Sequence, residues 1–191
     1  MISCTIDLAA KFSAGVVMKR TKGVDKVLHQ FDSWGKSQKE FVAESIDAAK
    51  RYKVDVFGLE DVPYGLSKQF MIKPALRLQG RFIEAIENNG LEDITVFINP
   101  ATWQRTFDGV YGGGKDGAEK AALGFGYVAP NMLEVHDAEI PPSGKERTAV
   151  RQQLKKATTD YNDAFLMGKF VQSFKDIDDM LQYVKKGIQK I

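Results

Sequence analysis

The 191-residue sequence predicts an α/β fold in which helices flank a mixed five-stranded sheet. Three observations carry this expectation. The chain opens with three apolar-alternating segments separated by turn signals, which read as an antiparallel meander. Two further apolar segments each follow a helix-type stretch, so they read as parallel strands reached by helical crossovers. The last quarter has helical periodicity and lacks strand signals.

Each element has a local reason. "ISCTIDL" alternates, with Ile2, Cys4 and Ile6 on one face. "AGVVMKR" and "KVLHQFD" flank the turn "TKGVD" and complete the meander. Ser37 and Glu40 form a capping box that starts a helix through "EFVAESIDAAKRYK", with Phe41, Ile46 and Ala49 facing inward. "VDVFGL" is apolar enough for a strand buried on both faces, and Glu60 ends it. A long helix is expected from about Pro74, in its first turn, to Asn88. "ITVFI" is the fifth strand. From Trp103 to Gly144 the pattern fades: "GVYGGGKDG" is flexible by composition, "EIPPSG" is irregular, and "MLEVHD" reads as a short extra strand. The final helices are expected over Glu146 to Phe174, with a break near Thr158 left open, and over Ile177 to Ile188. There is no repeat and no linker, so residues 1–191 are expected to form one domain with a flexible segment over about 106–146.

Composition narrows the class without choosing a function. Hydrophobic content of 43%, with 27% charged residues, is that of an ordinary globular protein. The net charge of +2 is too mild to argue for a nucleic-acid partner. The lone Cys4 excludes an internal disulfide and suits a reducing compartment. The sequence shows no signal-peptide pattern and no apolar run of membrane-spanning length, so a cytoplasmic protein is expected.

The chemistry lies in the carboxylates. In "ATTDYNDAFLMG", Asp160 and Asp163 are three residues apart and share a helix side with Ala164 and Met167. Thr158 or Thr159 capping a helix, with Asp160 in its first turn, is an alternative for Asp160 and accounts less well for Asp163. Asp7 and Glu60 each end an apolar strand. Four acids brought together would repel and take up protons unless cations neutralise them. Hard divalent ions such as Mg²⁺ favour oxygen ligands. Two such ions about 3.5–4 Å apart form the clamp used in phosphodiester hydrolysis.

This ordered set resembles the RNase H-like nuclease fold. More narrowly, the chain resembles the RuvC family of Holliday-junction resolvases, particularly its phage-encoded branch. The family pattern is an aspartate ending strand one, a glutamate ending strand four, and D-x-x-D followed by Ala; here these are Asp7, Glu60, and Asp160 and Asp163 in "DYNDAF". "KPALRLQGRF" resembles the family's dimer helix, and "NPATWQR" its segment after strand five. Leu8-Ala9 stands where bacterial members usually have Pro-Gly. The resemblance implies a homodimeric endonuclease with two Mg²⁺ per site, Mn²⁺ substituting, acting on branched DNA, foremost four-way junctions. For a phage-encoded member the compartment is the host cytoplasm. It also implies an active-site lysine, for which Lys120 in "GAEKAA" and Lys145 in "GKER" compete; Lys145 is nearer in sequence to the D-x-x-D helix.

Basic residues are distributed unevenly. Lys68, Lys73, Arg77 and Arg81 occur without an intervening acid, the last three at four-residue spacing. "GKERTAVRQQLKK" holds Lys145, Arg147, Arg151, Lys155 and Lys156 against Glu146 alone. Such stripes alone read as solvated helix faces; beside an acidic metal site they suit a phosphate backbone, as do Arg105 and Lys115. Tyr64 is either a base-stacking residue or a plain loop anchor. His29 and His136 have no neighbouring Cys or His, so zinc is not expected. "YGGGKDG" fails the Walker A spacing, and "DLAAKFSAG" and "EDVPYGL" lack the phosphate loops of ATP-using relatives of this strand order. Two other functions stay open: a broader flap, fork or RNA–DNA hybrid nuclease, and a non-catalytic branched-DNA-binding module.

Overall fold

The computed structural model describes residues 1–9, 11–62, 69–111, 115–183 and 188–190. The expected meander is present: β1 (Ile2–Asp7), β2 (Ala14–Thr21) and β3 (Val24–Asp32) pair antiparallel. The β2–β3 turn is Lys22-Gly23, with φ of 50° and 80°. Positive φ at both central residues gives the primed turn whose twist matches paired strands. Ser37 accepts from the Glu40 N–H and Glu40 from the Ser37 N–H, and this box starts α1 (Gln38–Tyr52). Then come β4 (Val56–Glu60), α2 (Gln69–Glu87), a 3₁₀ turn (Glu92–Ile94) and β5 (Thr95–Ile98).

The sheet has six strands, not five, in the order β3-β2-β1-β4-β5-β6. The extra strand, β6 (Ile188–Lys190), pairs antiparallel with β5 where helix was expected, and the helix before it, α7 (Ile177–Tyr183), is shorter than predicted. A three-residue strand is too short to show a period, and its pairing covers the β5 edge. α2 also departs from expectation: it begins at Gln69, so Pro74 lies inside it. The Pro74 carbonyl accepts from Gln38 Nε2 at 3.2 Å, tying α2 to α1. Regular structure fills much of the stretch where periodicity faded: α3 (Pro100–Tyr111), α4 (Lys115–Gly124), α5 (Met132–Val135) and a 3₁₀ turn (Asp137–Glu139). "MLEV" is therefore helix rather than strand, with Asn131 as its N-cap accepting from the Leu133 N–H.

α6 (Gly144–Val171) is one unbroken helix of 28 residues. Thr158 and Thr159 lie well inside it and donate back to the carbonyls of Leu154 and Lys155, so neither caps Asp160.

Two cores sandwich the sheet. α1 and α2 cover one face, where Cys4, Ile6, Phe41, Ile46, Phe57, Leu78, Phe82 and Ile86 are buried. Leu78, Phe82 and Ile86, in and just after the segment that resembles the family's dimer helix, sit in this chain's own core, while Leu76 is half-buried. α6, α4, α3 and α5 cover the other face, where Ala14, Val16, Met18, Trp103, Tyr127 and Phe165 are buried.

On that second face, β1 presents only polar side chains to α6. Ser3, Thr5 and Asp7 are all buried. The Thr5 hydroxyl donates to the Ala164 carbonyl at 2.8 Å, and Gln172 Nε2 donates to Ser3 Oγ at 3.1 Å. Between them Gly168 brings the backbones together: a Cβ there would lie 2.6 Å from Met18 Sδ and 3.0 Å from Thr5 Oγ1. Gly168→Ala is expected to destabilise the protein by about 1–3 kcal/mol through overpacking. Gly80→Ala, on an open face of α2 with nothing within 4 Å, should be neutral or stabilising by about 1 kcal/mol. Urea unfolding of the two variants beside the parent checks both.

Candidate metal centre

The sheet register brings the strand-end acids together. β1 and β4 run parallel, with Ile6 opposite Leu59, so Asp7 and Glu60 follow side by side at the carboxyl ends of the two strands. In the same row Asp7 pairs with Ala14, and Ala14 with Asp32. α6 supplies the remaining acids. Oxygen atoms of Asp7, Asp160 and Asp163 lie within 4.8 Å of one another. Asp7 is 6% and Asp160 4% exposed, while Asp163 and Glu60 are half-buried. Hard oxygen donors this close and this dry fit a divalent cation such as Mg²⁺.

The electrostatics agree. Burial pushes Asp7 well above the usual carboxylate range; the neighbouring Glu60 charge and a hydrogen bond to Glu60 add to this, and Lys156 works weakly against it. Burial also pushes Glu60 up, opposed by hydrogen bonding to Asp7, while the Asp163 charge pushes it further. Both carboxyls are thereby held toward the protonated form. The buried Trp103 indole N–H lies close enough to favour the Glu60 carboxylate, though short of a well-aligned hydrogen bond.

Other partners hold the frame. The Tyr161 hydroxyl donates to Asp32 Oδ2 at 2.7 Å, fixing the D-x-x-D helix to the end of β3. Tyr127 stacks on Phe165 with centroids 4.1 Å apart. His29 stacks against Phe31 and Tyr52, and His136 bonds Glu139, so neither reaches the acids.

The fold distributes the expected basic residues over several elements. Lys145 is exposed in the first turn of α6, 15 residues before Asp160, which is about 22 Å along a straight helix. The fold does not bring it to the carboxylates of its own chain. Lys120 is exposed on α4, and Lys115 begins that helix. Lys73, Arg77 and Arg81 form the expected exposed stripe on α2, and Arg105 is exposed on α3. Arg151 is half-buried on α6, and Arg147 donates to the carbonyls of Pro141 and Pro142. Tyr64 and Lys68 lie outside the described residues. Sequence reasoning missed two residues at the site. Trp103 was quoted only as part of a family-like segment, and its signal was position, five residues beyond β5. Lys156 was noted only within a basic run, and its signal was its place one turn before Asp160.

A group whose folded-state pKa is raised contributes stability at low pH and loses it as pH rises through that pKa. Without a bound cation, the wild type is expected to lose stability from the ordinary carboxylate range upward. Asp7→Asn removes this cost, so in EDTA it should melt higher than wild type, by more at about pH 8 than at about pH 5. Mn²⁺ should raise the wild-type Tm and leave Asp7→Asn unmoved. Trp103→Phe keeps an aromatic ring and removes the indole N–H beside Glu60; Mn²⁺ affinity by calorimetry is expected to fall about 10-fold.

No protein-family model matches this sequence, and no curated protein matches it. Among solved structures, the Thermus thermophilus RuvC structure aligns with a TM-score of 0.53 at 13% identity, covering 89% of this chain and 96% of that one. T. thermophilus RuvC in complex with a Holliday junction substrate aligns with the same TM-score at 11% identity, covering 89% and 96%. The fowlpox virus resolvase in complex with substrate Holliday junction DNA aligns at 0.45 and 19% identity, covering 91% and 98%. At these identities the likeness is one of fold: the chain has the RNase H-like α/β architecture of the T. thermophilus RuvC structures, with six strands in its sheet.

Proposed function

We propose that this chain is a divalent-metal-dependent endonuclease of branched DNA that resolves four-way junctions by paired nicks, acting as a homodimer in the cytoplasm. One observation carries the reading: the Asp7, Asp160 and Asp163 oxygens converge at the carboxyl ends of the central parallel strands. Catalytic groups in open α/β sheets gather at this edge. The fold matches that of a RuvC structure whose own description names a Holliday junction substrate.

In this reading Asp7, Asp160 and Asp163, with Glu60 beside Asp7, hold two Mg²⁺ ions. Bound there, the metals supply an activated water and a counter-charge for the leaving 3′-oxygen. The protein's part is orientation. The strand register sets the Asp7–Glu60 spacing, and α6 presents Asp160 and Asp163 from one rigid element. Asp7 gives up its proton when cations replace it, so metal binding should tighten with pH. The exposed stripe of Lys73, Arg77 and Arg81 offers phosphate contacts away from the acids. A twofold dimer would set two such sites symmetrically on a symmetric junction.

The decisive experiment offers the protein a synthetic four-way junction, a flap, a fork and a linear duplex, each with Mg²⁺, Mn²⁺ or EDTA. Symmetric nicking of the junction in metal alone is expected. Preference for flaps or forks would replace the substrate and keep the chemistry; binding without cleavage in either metal would reduce the chain to a binding module. Asp7→Asn, Glu60→Gln and Asp163→Asn should each abolish cleavage and leave junction affinity largely intact, measured by gel shift beside the rate. Full activity in any one of them overturns the metal assignment.

A further inference from the structure

We propose that Lys156 serves this site as a cation and contacts the phosphate to be cut. The inference rests on the nuclease reading above and adds a residue to it.

The argument begins with the docking of α6. Ala164, Gly168 and Gln172 recur every four residues, and all three meet β1 or its side chains: the Ala164 carbonyl at Thr5, Gly168 against Thr5 and Met18, and Gln172 at Ser3. Asp160 continues the series, level with Asp7 at the strand end. One more step of four residues, about 6 Å further along the axis, reaches Lys156. There β1 has ended, and the environment changes from the buried Asp160 to an exposed side chain. Lys156 is also seven residues before Asp163, so the two lie within about 20° of each other around the helix. It therefore overhangs the mouth of the carboxylate cluster, on the side that bears the acids.

A further observation gives the position a role. Among the described residues its ammonium takes no part in a salt bridge. An ammonium on a long flexible stem, unclaimed by a neighbour and beside a metal-type cluster, is a mobile point charge suited to a phosphate oxygen. Lys145, favoured by nearness in sequence, lacks this placement: it lies about 22 Å from Asp160 along the helix. Lys156 needs no proton transfer for this role. It offsets negative charge on a non-bridging oxygen while the carboxylates hold the metals.

The test uses the full chain and three variants: Lys156→Ala, Lys156→Arg, and Lys175→Ala as a charge-matched control beyond the far end of α6. Calorimetric titration with Mn²⁺, without DNA, reads whether the ammonium sits by the acids. Lys156→Ala should bind Mn²⁺ several-fold more tightly, by an amount that shrinks with added salt, while Lys156→Arg and Lys175→Ala match wild type. Single-turnover junction cleavage in Mg²⁺, beside junction affinity in Ca²⁺, reads the phosphate contact. Lys156→Ala should lose about 10²-fold in rate with affinity changed less than about threefold, and Lys156→Arg should recover part of the rate. Unchanged Mn²⁺ affinity in Lys156→Ala overturns the placement, and an unchanged cleavage rate overturns the phosphate contact. Wild-type protein that binds Mn²⁺ yet cuts no DNA overturns the nuclease reading and the phosphate contact with it. Wild-type cutting with an indifferent Lys156→Ala overturns the assignment of Lys156 alone.

Discussion

The seating of α6 on β1 is the constraint on which the rest of the structure depends. A helix lying on a sheet normally rests on apolar side chains. Here it rests on Ser3 and Thr5, two small hydroxyl residues that are fully buried. Thr5 reaches the Ala164 carbonyl, Ser3 receives Gln172, and Gly168 leaves no Cβ to hold the backbones apart. The contacts follow one another along α6, from Gln172 at Ser3 through Gly168 at Thr5 to Asp160 near Asp7. A shift of α6 by one turn would separate the acids while leaving most apolar contacts replaceable.

Bringing the acids together is costly, and the structure shows where the cost falls. Asp7 lies beside Glu60 and near Asp160 and Asp163, in a place that water scarcely reaches. Burial and neighbouring charge therefore push both Asp7 and Glu60 toward the protonated form. The surroundings oppose collapse of the cluster. Tyr161 is tethered to Asp32, Asp32 also accepts from the Trp34 N–H, and Trp34 Nε1 donates to Glu139. Lys169 and Asp25 form an ion pair that ties α6 to the start of β3, and Arg20 bonds the Gln172 carbonyl. These contacts hold α6 from Tyr161 to its C-terminal end, so repulsion among its carboxylates is answered by protons or cations rather than by movement.

Much of this was legible in the chain because local rules agreed with the fold. The capping box placed α1, the turn residues placed the β2–β3 hairpin, and apolar alternation placed β1 and β2. The misreadings have particular causes. Pro74 looked like a helix start because proline suits a first turn, yet α2 begins at Gln69. "MLEV" is a run of four residues that fits strand or helix equally, and its cap Asn131 was the overlooked signal. β6 has three residues and exists because β5 offers an edge. Thr158 and Thr159 resembled caps, but inside a long helix their hydroxyls turn back onto it.

For the site, sequence alone determined the identities of the four acids and their places at strand ends and on one helix side. Those positions follow from periods of 2 and 3.6 residues, which are local properties of the backbone. The tertiary structure decided what a period cannot carry. Strand register set Asp7 beside Glu60, and the Gly168 contact set the height of Asp160 against Asp7. Trp103 came to Glu60 through the packing of α3, and Lys145 was removed from the site by the straightness of α6. Nearness in sequence favoured Lys145 for a reason the fold removes: a helix separates residues by rise as surely as it aligns them by angle.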